Sequence, residues 1–148
     1  MGVAGANRPL MRQAAETFVY GTRGQGLHDI TSDIVRWTAA QGLNTGLLTL
    51  FCRHTSASLL IQENASPDAR ADIEAWVARL APEGDAYAHR DEGPDDMPAH
   101  LRTVLTQVQL AIPLIDGALA LGTWQGVYLF EHRRRPHSRT VALHLIGE

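Results

Sequence analysis

Groups able to bind metals or move protons are concentrated between His89 and His132 of this chain. They occur in three strings, Asp95-Asp96-Met97-Pro98-Ala99-His100, Gly122-Thr123-Trp124-Gln125 and Glu131-His132-Arg133. Such side chains are costly to bury without partners, so their concentration indicates a polar site more than a core. Imidazole is the commonest neutral metal ligand, and three of them leave a coordination position open for water or substrate. We therefore predict that His89, His100 and His132 bind a divalent metal, namely zinc, manganese or magnesium.

His54 directly follows an apolar run, in His54-Thr55-Ser56-Ala57-Ser58. Strand alternation places His54 on the same face as Cys52 and Leu50. On this interpretation His54 is a hydrogen-bonded histidine of the core. The alternative, which we adopt, makes His54 and Glu131 the general acid and base, with Asn64 and Gln125 orienting the substrate. If the strand after His54 turns back on the apolar run, Asn64 lies away from His54 unless a crossover or another subunit closes the gap.

Three neighbours of the histidines have two interpretations each. Asp96 is either a substrate-binding group or a helix N-cap, a structural role worth ~1 kcal/mol. Glu131 and His132 point to opposite faces of a regular strand, so either a bulge intervenes or one of them crosses a subunit interface. Arg133 is our candidate for binding phosphate through its two-pronged guanidinium, whereas Arg134 and Arg135 are typical of an exposed turn.

Hydrophobic periodicity divides the chain into strands and helices that would position these groups. The clearest helix has Ser66 as its N-cap candidate and Pro67 at its first position, and it ends before Pro82. The long polar loop at 83–95 is itself suspected of function. Interspersed elements followed by consecutive strands favour an α+β fold with a mainly antiparallel sheet, over 13–148, after a flexible arm at 1–12. We predict strands at 15–22, 46–53, 57–62, 109–115, 118–132 (broken near Gly122) and 139–146, and helices starting at Thr31 or Ser32, at Ser66 and at Asp96, with buried stripes Ile73, Trp76, Val77, Leu80 and Leu101, Val104, Leu105, Val108.

Composition narrows the class of protein. A length of 148 residues, 45% of them hydrophobic and 20% charged, is ordinary for one folded domain. The formal charge of −3 gives no reason to expect a nucleic-acid partner. The single cysteine excludes an intramolecular disulfide and suits a reducing cytoplasm. We find neither a signal peptide nor an apolar stretch long enough for a membrane, so we expect a cytoplasmic protein without a membrane partner.

The polar strings together resemble the YjbQ-like family, whose members are often labelled secondary thiamine-phosphate synthases. The strings are His54-Thr55-Ser56-Ala57-Ser58-Leu59, Glu63-Asn64-Ala65, Asp95 to His100, Gly122 to Gly126 and Glu131 to Arg133. The resemblance implies a compact α+β subunit in a homotrimer with polar pockets near subunit contacts. It also implies a weak synthesis of thiamine phosphate from a pyrimidine diphosphate and a thiazole phosphate. Ala118 stands where arginine is common in the family, which would weaken binding of an anionic substrate.

Our leading hypothesis is a small enzyme with a histidine-rich metal site that acts on a small phosphorylated molecule. A second hypothesis is metal-assisted hydrolysis of a phosphorylated or carbonyl metabolite, with water as the nucleophile. A third is a trimeric small-molecule binding module without catalysis, whose histidines are buried polar groups. Turnover that is abolished by Glu131→Gln in a normally folded trimer would exclude the third.

Overall fold

The computed structural model describes residues 10–84 and 86–148, which form two antiparallel sheets and three helices. The predicted α+β class is thereby confirmed. Of the predicted N-terminal arm, residues 1–9 lie outside the described residues, and Arg12 already belongs to the first strand. In chain order the elements are β1 (Arg12–Thr22), β2 (Gly26–Asp29), α1 (Thr31–Ala40), β3 (Gly46–Cys52), β4 (Ala57–Glu63), α2 (Pro67–Leu80), α3 (Asp96–Leu105), β5 (Gln109–Ile115), β6 (Ala118–Leu119), β7 (Gln125–Glu131) and β8 (His137–Gly147).

The order of the strands places β4 and β7 next to each other in the smaller of the two sheets. The five-stranded sheet has the order β1-β8-β3-β5-β6 and the three-stranded sheet the order β2-β7-β4. In the ladder between β4 and β7, Ala57 lies opposite Glu131 and Glu63 lies opposite Gln125. The two ends of this ladder are six residues apart, about 20 Å at the rise of a strand.

The core lies between the two sheets, where alternate apolar residues of each strand meet. Leu50 and Leu143 of the large sheet are buried in the same cluster as Leu59 and Leu129 of the small one. Cys52 belongs to this cluster and is 1% exposed. Burial raises the pKa of its thiol to about 11, so the thiol is protonated and unreactive at neutral pH.

Helix α2 begins as its sequence predicts. The Ser66 hydroxyl accepts a hydrogen bond from the Ala69 N–H at 3.1 Å, and Pro67 occupies the first turn. Helix α1 differs in detail, because it starts at Thr31 with no side-chain cap.

Helix α3 buries a different face from the one its apolar stripe predicts. Its buried residues are Asp96, Pro98, Ala99 and Arg102, whereas Val104 is 80% exposed. The small side chains Pro98 and Ala99 permit close packing against β4, which turns the larger apolar residues outward. The predicted stripe of α2 is likewise split, with Val77 buried and Trp76 and Leu80 about half exposed.

The strand β2 was missed by the sequence prediction, and the break between β6 and β7 was predicted. The short strand β2 was not predicted, because Gly26-Leu27-His28-Asp29 has no apolar alternation. The predicted strand 118–132 is indeed broken near Gly122, into β6 and β7. Among the described residues no helix is long and apolar enough to cross a membrane; the cytoplasmic location stays a prediction.

Candidate functional site

Three chain segments converge at the start of α3. The α2–α3 loop supplies His89, the first turns of α3 supply Asp96 and His100, and the chain leaving β7 supplies Arg133. One ligand atom from each of His89, Asp96 and His100 lies within 4.8 Å of the others. We call these three residues the His–Asp cluster.

Asp96 is the centre of the cluster, and its residue is only 2% exposed. Its Oδ2 lies 2.6 Å from His89 Nε2, and its Oδ1 accepts a hydrogen bond from Arg133 Nη1 at 2.7 Å. The N-cap alternative for Asp96 is wrong, because α3 has Asp95 in the cap position and makes no side-chain cap hydrogen bond. The carboxylate of Asp96 instead joins the loop, the helix and the end of β7.

The Nε2 of His100 faces this carboxylate. Its Nδ1 lies 2.9 Å from the Thr55 carbonyl oxygen, which can only accept, so Nδ1 carries a proton. In the neutral imidazole, Nε2 then holds a lone pair, and it faces Asp96 Oδ1 at 3.5 Å. A proton on Nε2, or a metal ion between the two atoms, would make this contact favourable.

Arg133 holds the acidic side chains in place. Besides Asp96, its guanidinium binds Asp95 Oδ2 at 3.1 Å and the Glu92 carbonyl at 2.9 Å. Burial raises the pKa of Asp95, but the Arg134 N–H and the Arg133 guanidinium outweigh it and leave that pKa below its ordinary value. With these partners Arg133 orients the cluster, and its contact with a phosphate stays a prediction.

Glu131 and His132 point to opposite faces of the small sheet. Glu131 is 0% exposed; Arg139 binds it at 2.6 Å and Thr22 at 2.7 Å. Burial raises the pKa of Glu131, but hydrogen bonds from Arg139, the Arg133 N–H and Thr22 prevail and leave it lowered. Such a buried, fully bonded carboxylate has a structural role here, and its acid–base role stays a prediction.

His132 is separate from the His–Asp cluster within one chain. Its Nε2 lies 2.9 Å from the buried Ser58 hydroxyl, while Nδ1 has no partner among the described residues. Burial, then the positive charge of Arg102, lowers the pKa of His132 to about 3, so the ring is neutral. The third possible metal ligand beside His89 and His100 is thus Asp96, where we predicted His132. A ligand role for His132 stays a prediction.

Asn64 and Gln125 lie at the opposite end of the β4–β7 ladder from Glu131. The Asn64 amide donates to the Thr123 and Gln125 carbonyls, and the Gln125 side chain accepts from the Gly122 N–H. Their hydrogen bonds hold the β6–β7 turn. Within one chain the structure does not bring them to His54 or to the cluster.

His54 and His100 line one cleft of about 580 Å³. Its other walls are Phe51, Cys52, Arg53, Thr55, Thr103, Val104 and Val108. The His54 Nε2 accepts a hydrogen bond from the Thr140 N–H at 2.7 Å. Burial lowers the pKa of His54, as does the charge of Arg139, which favours the neutral ring.

The sequence analysis did not identify the supporting groups of the cluster. Thr55 contributes a carbonyl, which has no sequence signal, and Arg139 pairs with Glu131 through the packing of the two sheets. Asp95 could have been identified from the sequence, because a helix cap needs only one carboxylate and the sequence has two adjacent ones at the start of α3.

Comparison with known proteins identifies one family. The family model described as UPF0047 protein YjbQ-like matches residues 16–148. A UPF0047 protein of Synechocystis is 52% identical over 138 residues, covering 93% of this chain and 94% of that protein. The UPF0047 protein YjbQ of Salmonella typhimurium is 41% identical over 133 residues, which cover 89% of this chain and 96% of that protein.

Solved structures agree with the fold. An uncharacterised conserved protein of the YjbQ/UPF0047 family from Clostridium acetobutylicum superposes with a TM-score of 0.81 at 31% identity, over 88% of this chain and 98% of that one. A YbjQ-like protein of unknown function from Sulfolobus solfataricus has a TM-score of 0.87 at 21% identity, over 94% and 100%. The second likeness concerns the fold alone.

Proposed function

The chain belongs to the YjbQ-like UPF0047 family, and from that premise we propose that it is a metal-dependent enzyme acting on a small phosphorylated molecule. The observation that carries this proposal is the convergence of one ligand atom each from His89, Asp96 and His100 to within 4.8 Å of one another. The donor set of two imidazoles and a carboxylate is typical of zinc, and it also suits manganese.

The surroundings of the cluster resemble those of metal sites in other proteins. Ligating histidines usually donate their second N–H to a carbonyl, as His100 does to Thr55. Ligating carboxylates are usually hydrogen-bonded in turn, as Asp96 is by Arg133. His89 is about half exposed, so the cluster is open to a metal and to a substrate from the solvent.

We propose that the substrate binds in the cleft between His54 and His100. A bound metal would neutralise charge on a phosphate or on a diphosphate leaving group. Arg53 is one of the residues that line the same cleft, and we propose that its guanidinium adds a second positive charge near such an anion. The reaction that we propose first is a transfer similar to thiamine-phosphate synthesis, and hydrolysis is the alternative.

Metal titration tests the proposal. Isothermal titration of the metal-free protein with zinc, manganese and magnesium should give binding by the wild type and a loss of at least tenfold in affinity for His100→Ala. His144→Ala is the matched control, because His144 binds Gln13 on the outer face of the large sheet. Absence of binding by the wild type, or unchanged binding by His100→Ala, would contradict the proposal.

Product analysis separates the two reactions. The metal-loaded protein is incubated with a pyrimidine diphosphate, with and without a thiazole phosphate. Product that forms only with the thiazole supports transfer, whereas release of phosphate without it supports hydrolysis.

We further propose that the functional unit is a homotrimer. Trp76, Leu80, Val104 and Leu105 follow core-like helical spacing, yet they are 49–80% exposed in one chain. A neighbouring subunit would cover them. It would also supply Asn64 and Gln125, which lie at the far end of the β4–β7 ladder from Glu131 within one chain, to the site.

A further inference from the structure

His54 is held in one orientation by a hydrogen bond that normally belongs to a β-ladder. Strand β3 ends at Cys52, which pairs with Val141 of β8. One residue further, the Arg53 N–H donates to the Thr140 carbonyl at 3.1 Å. The Thr140 N–H then donates to the imidazole of His54 at 2.7 Å, so the ring replaces the next backbone acceptor.

This bond determines which ring nitrogen carries the proton. A backbone N–H can only donate, so His54 Nε2 must be unprotonated while the bond is made. In the neutral ring the proton is therefore on Nδ1. Burial and the charge of Arg139 lower the pKa of His54 and favour this neutral form.

The protonated nitrogen is the one that remains available to a ligand. The structure gives Nδ1 no hydrogen-bond partner among the described residues, and Nδ1 is not among the buried atoms that lack one. The residue lines the cleft beside Arg53 and Thr55. The cleft therefore has on one wall a neutral N–H donor and the neighbouring residue Arg53, and this combination matches an anionic oxygen.

We propose that His54 is a neutral hydrogen-bond donor whose Nδ1–H binds a phosphate oxygen of the substrate, and not the group that transfers a proton. This inference rests on the proposed function, because it specifies how the cleft holds the phosphorylated molecule. It replaces the acid–base role predicted from the sequence with a positioning role. A base would need a lone pair towards the substrate, and here the lone pair faces Thr140.

Two amide variants separate the two nitrogens of the ring. In His54→Gln the amide oxygen reaches the position of Nε2 and still accepts from Thr140, but no donor remains at the position of Nδ1. In His54→Asn the amide group lies at the position of Nδ1 and still donates, while the Thr140 N–H loses its acceptor. The pair therefore distinguishes loss of the donor from loss of the structural anchor.

The experiment measures binding of inorganic phosphate in metal-free buffer containing chelator. We expect the wild type to bind, His54→Gln to bind roughly tenfold to a hundredfold more weakly, and His54→Asn to stay within about threefold of the wild type. His28→Gln is the control for histidine loss elsewhere, since the His28 ring contacts the Gly24 carbonyl outside the cleft. If His54→Asn fails to fold, the comparison of His54→Gln with wild type and His28→Gln decides.

Nitrogen-15 NMR of the imidazole rings supplies an independent readout. The spectrum should show His54 neutral at pH 7, with Nδ1 protonated and Nε2 bare, and addition of phosphate should shift the Nδ1 resonance. A bare Nδ1, equal phosphate binding by the Gln variant and the wild type, or no binding of phosphate by the wild type would each overturn the inference. Failure of the metal titration alone would contradict the proposed function and leave these phosphate measurements valid.

Discussion

At the scale of single residues, Asp96 decides whether the cluster exists. It is a nearly buried carboxylate that contacts two imidazoles and a guanidinium. Removing one partner of a buried ion pair is strongly destabilising, because the other charge is left without compensation. The same carboxylate therefore serves both the stability of the α2–α3 loop and the proposed metal site.

Asp96→Asn should lower the free energy of unfolding by about 2 kcal/mol, because Arg133 keeps Asp95 but loses its charge-assisted hydrogen bond to the Asp96 carboxylate. Urea unfolding monitored by circular dichroism measures this change. Asp91→Asn, an exposed change in the same loop, should have an effect below ~0.5 kcal/mol. Equal stabilities of the two variants would show that Asp96 is not the organising charge.

The ion pair of Glu131 with Arg139 gives a pH dependence of known sign. The pKa of Glu131 is lower in the folded protein than in the unfolded chain, where it is about 4.3. The ionised Glu131 therefore contributes fully to the free energy of unfolding above about pH 4.3, and this contribution is lost as the pH falls through the lower pKa of the folded protein. Glu131→Gln should cost about 3 kcal/mol at pH 7, and its difference from wild type should narrow below about pH 4. Denaturant unfolding across this pH range tests it, with the exposed Glu16→Gln as control; a difference that does not change with pH would refute the assignment.

At the scale of elements, some local signals predicted the structure, whereas the side-chain caps expected at the starts of α1 and α3 are not formed. The Ser66-Pro67 start of α2 and the break near Gly122 were both predicted from neighbouring residues. The buried face of α3 was not, because an apolar stripe does not say whether the same chain or another covers it. The meeting of His89 with Asp96 depends on the path of a long loop, and periodicity carries no information about that path.

The cap of α2 permits a matched test of element stability. Ser66→Ala removes the hydroxyl that accepts the Ala69 N–H and should destabilise the protein by about 1 kcal/mol. Ser32→Ala is the control, since α1 has no side-chain cap hydrogen bond at its start. Thermal unfolding of both variants should separate them, and a similar melting temperature for the two would contradict the assigned cap.

At the scale of the whole molecule, the helices leave apolar surface that the sequence pattern would place in a core. The exposed group on α2 and α3 contains a tryptophan that is 55% exposed and a valine that is 80% exposed. Isolated exposed apolar residues are ordinary, but Trp76 of α2 and Leu105 of α3 line one cleft, and neighbouring exposed apolar residues indicate an interaction surface. This is the physical basis for our proposal of a homotrimer.

Charge introduced on this surface should dissociate the trimer. We expect light scattering to give the mass of three chains for wild type and of one chain for Leu105→Glu and Trp76→Glu. Val35→Glu on α1, where the valine is 43% exposed, should remain trimeric. A wild-type protein with the mass of one chain would refute the homotrimer.

The thiol of Cys52, buried in the core with a pKa of about 11, makes the protein a convenient scaffold for site-directed probes. Maleimide reagents at neutral pH attack thiolates, so an introduced surface cysteine reacts long before the native one. A fluorophore or spin label can therefore be attached at one chosen position without first building a cysteine-free variant.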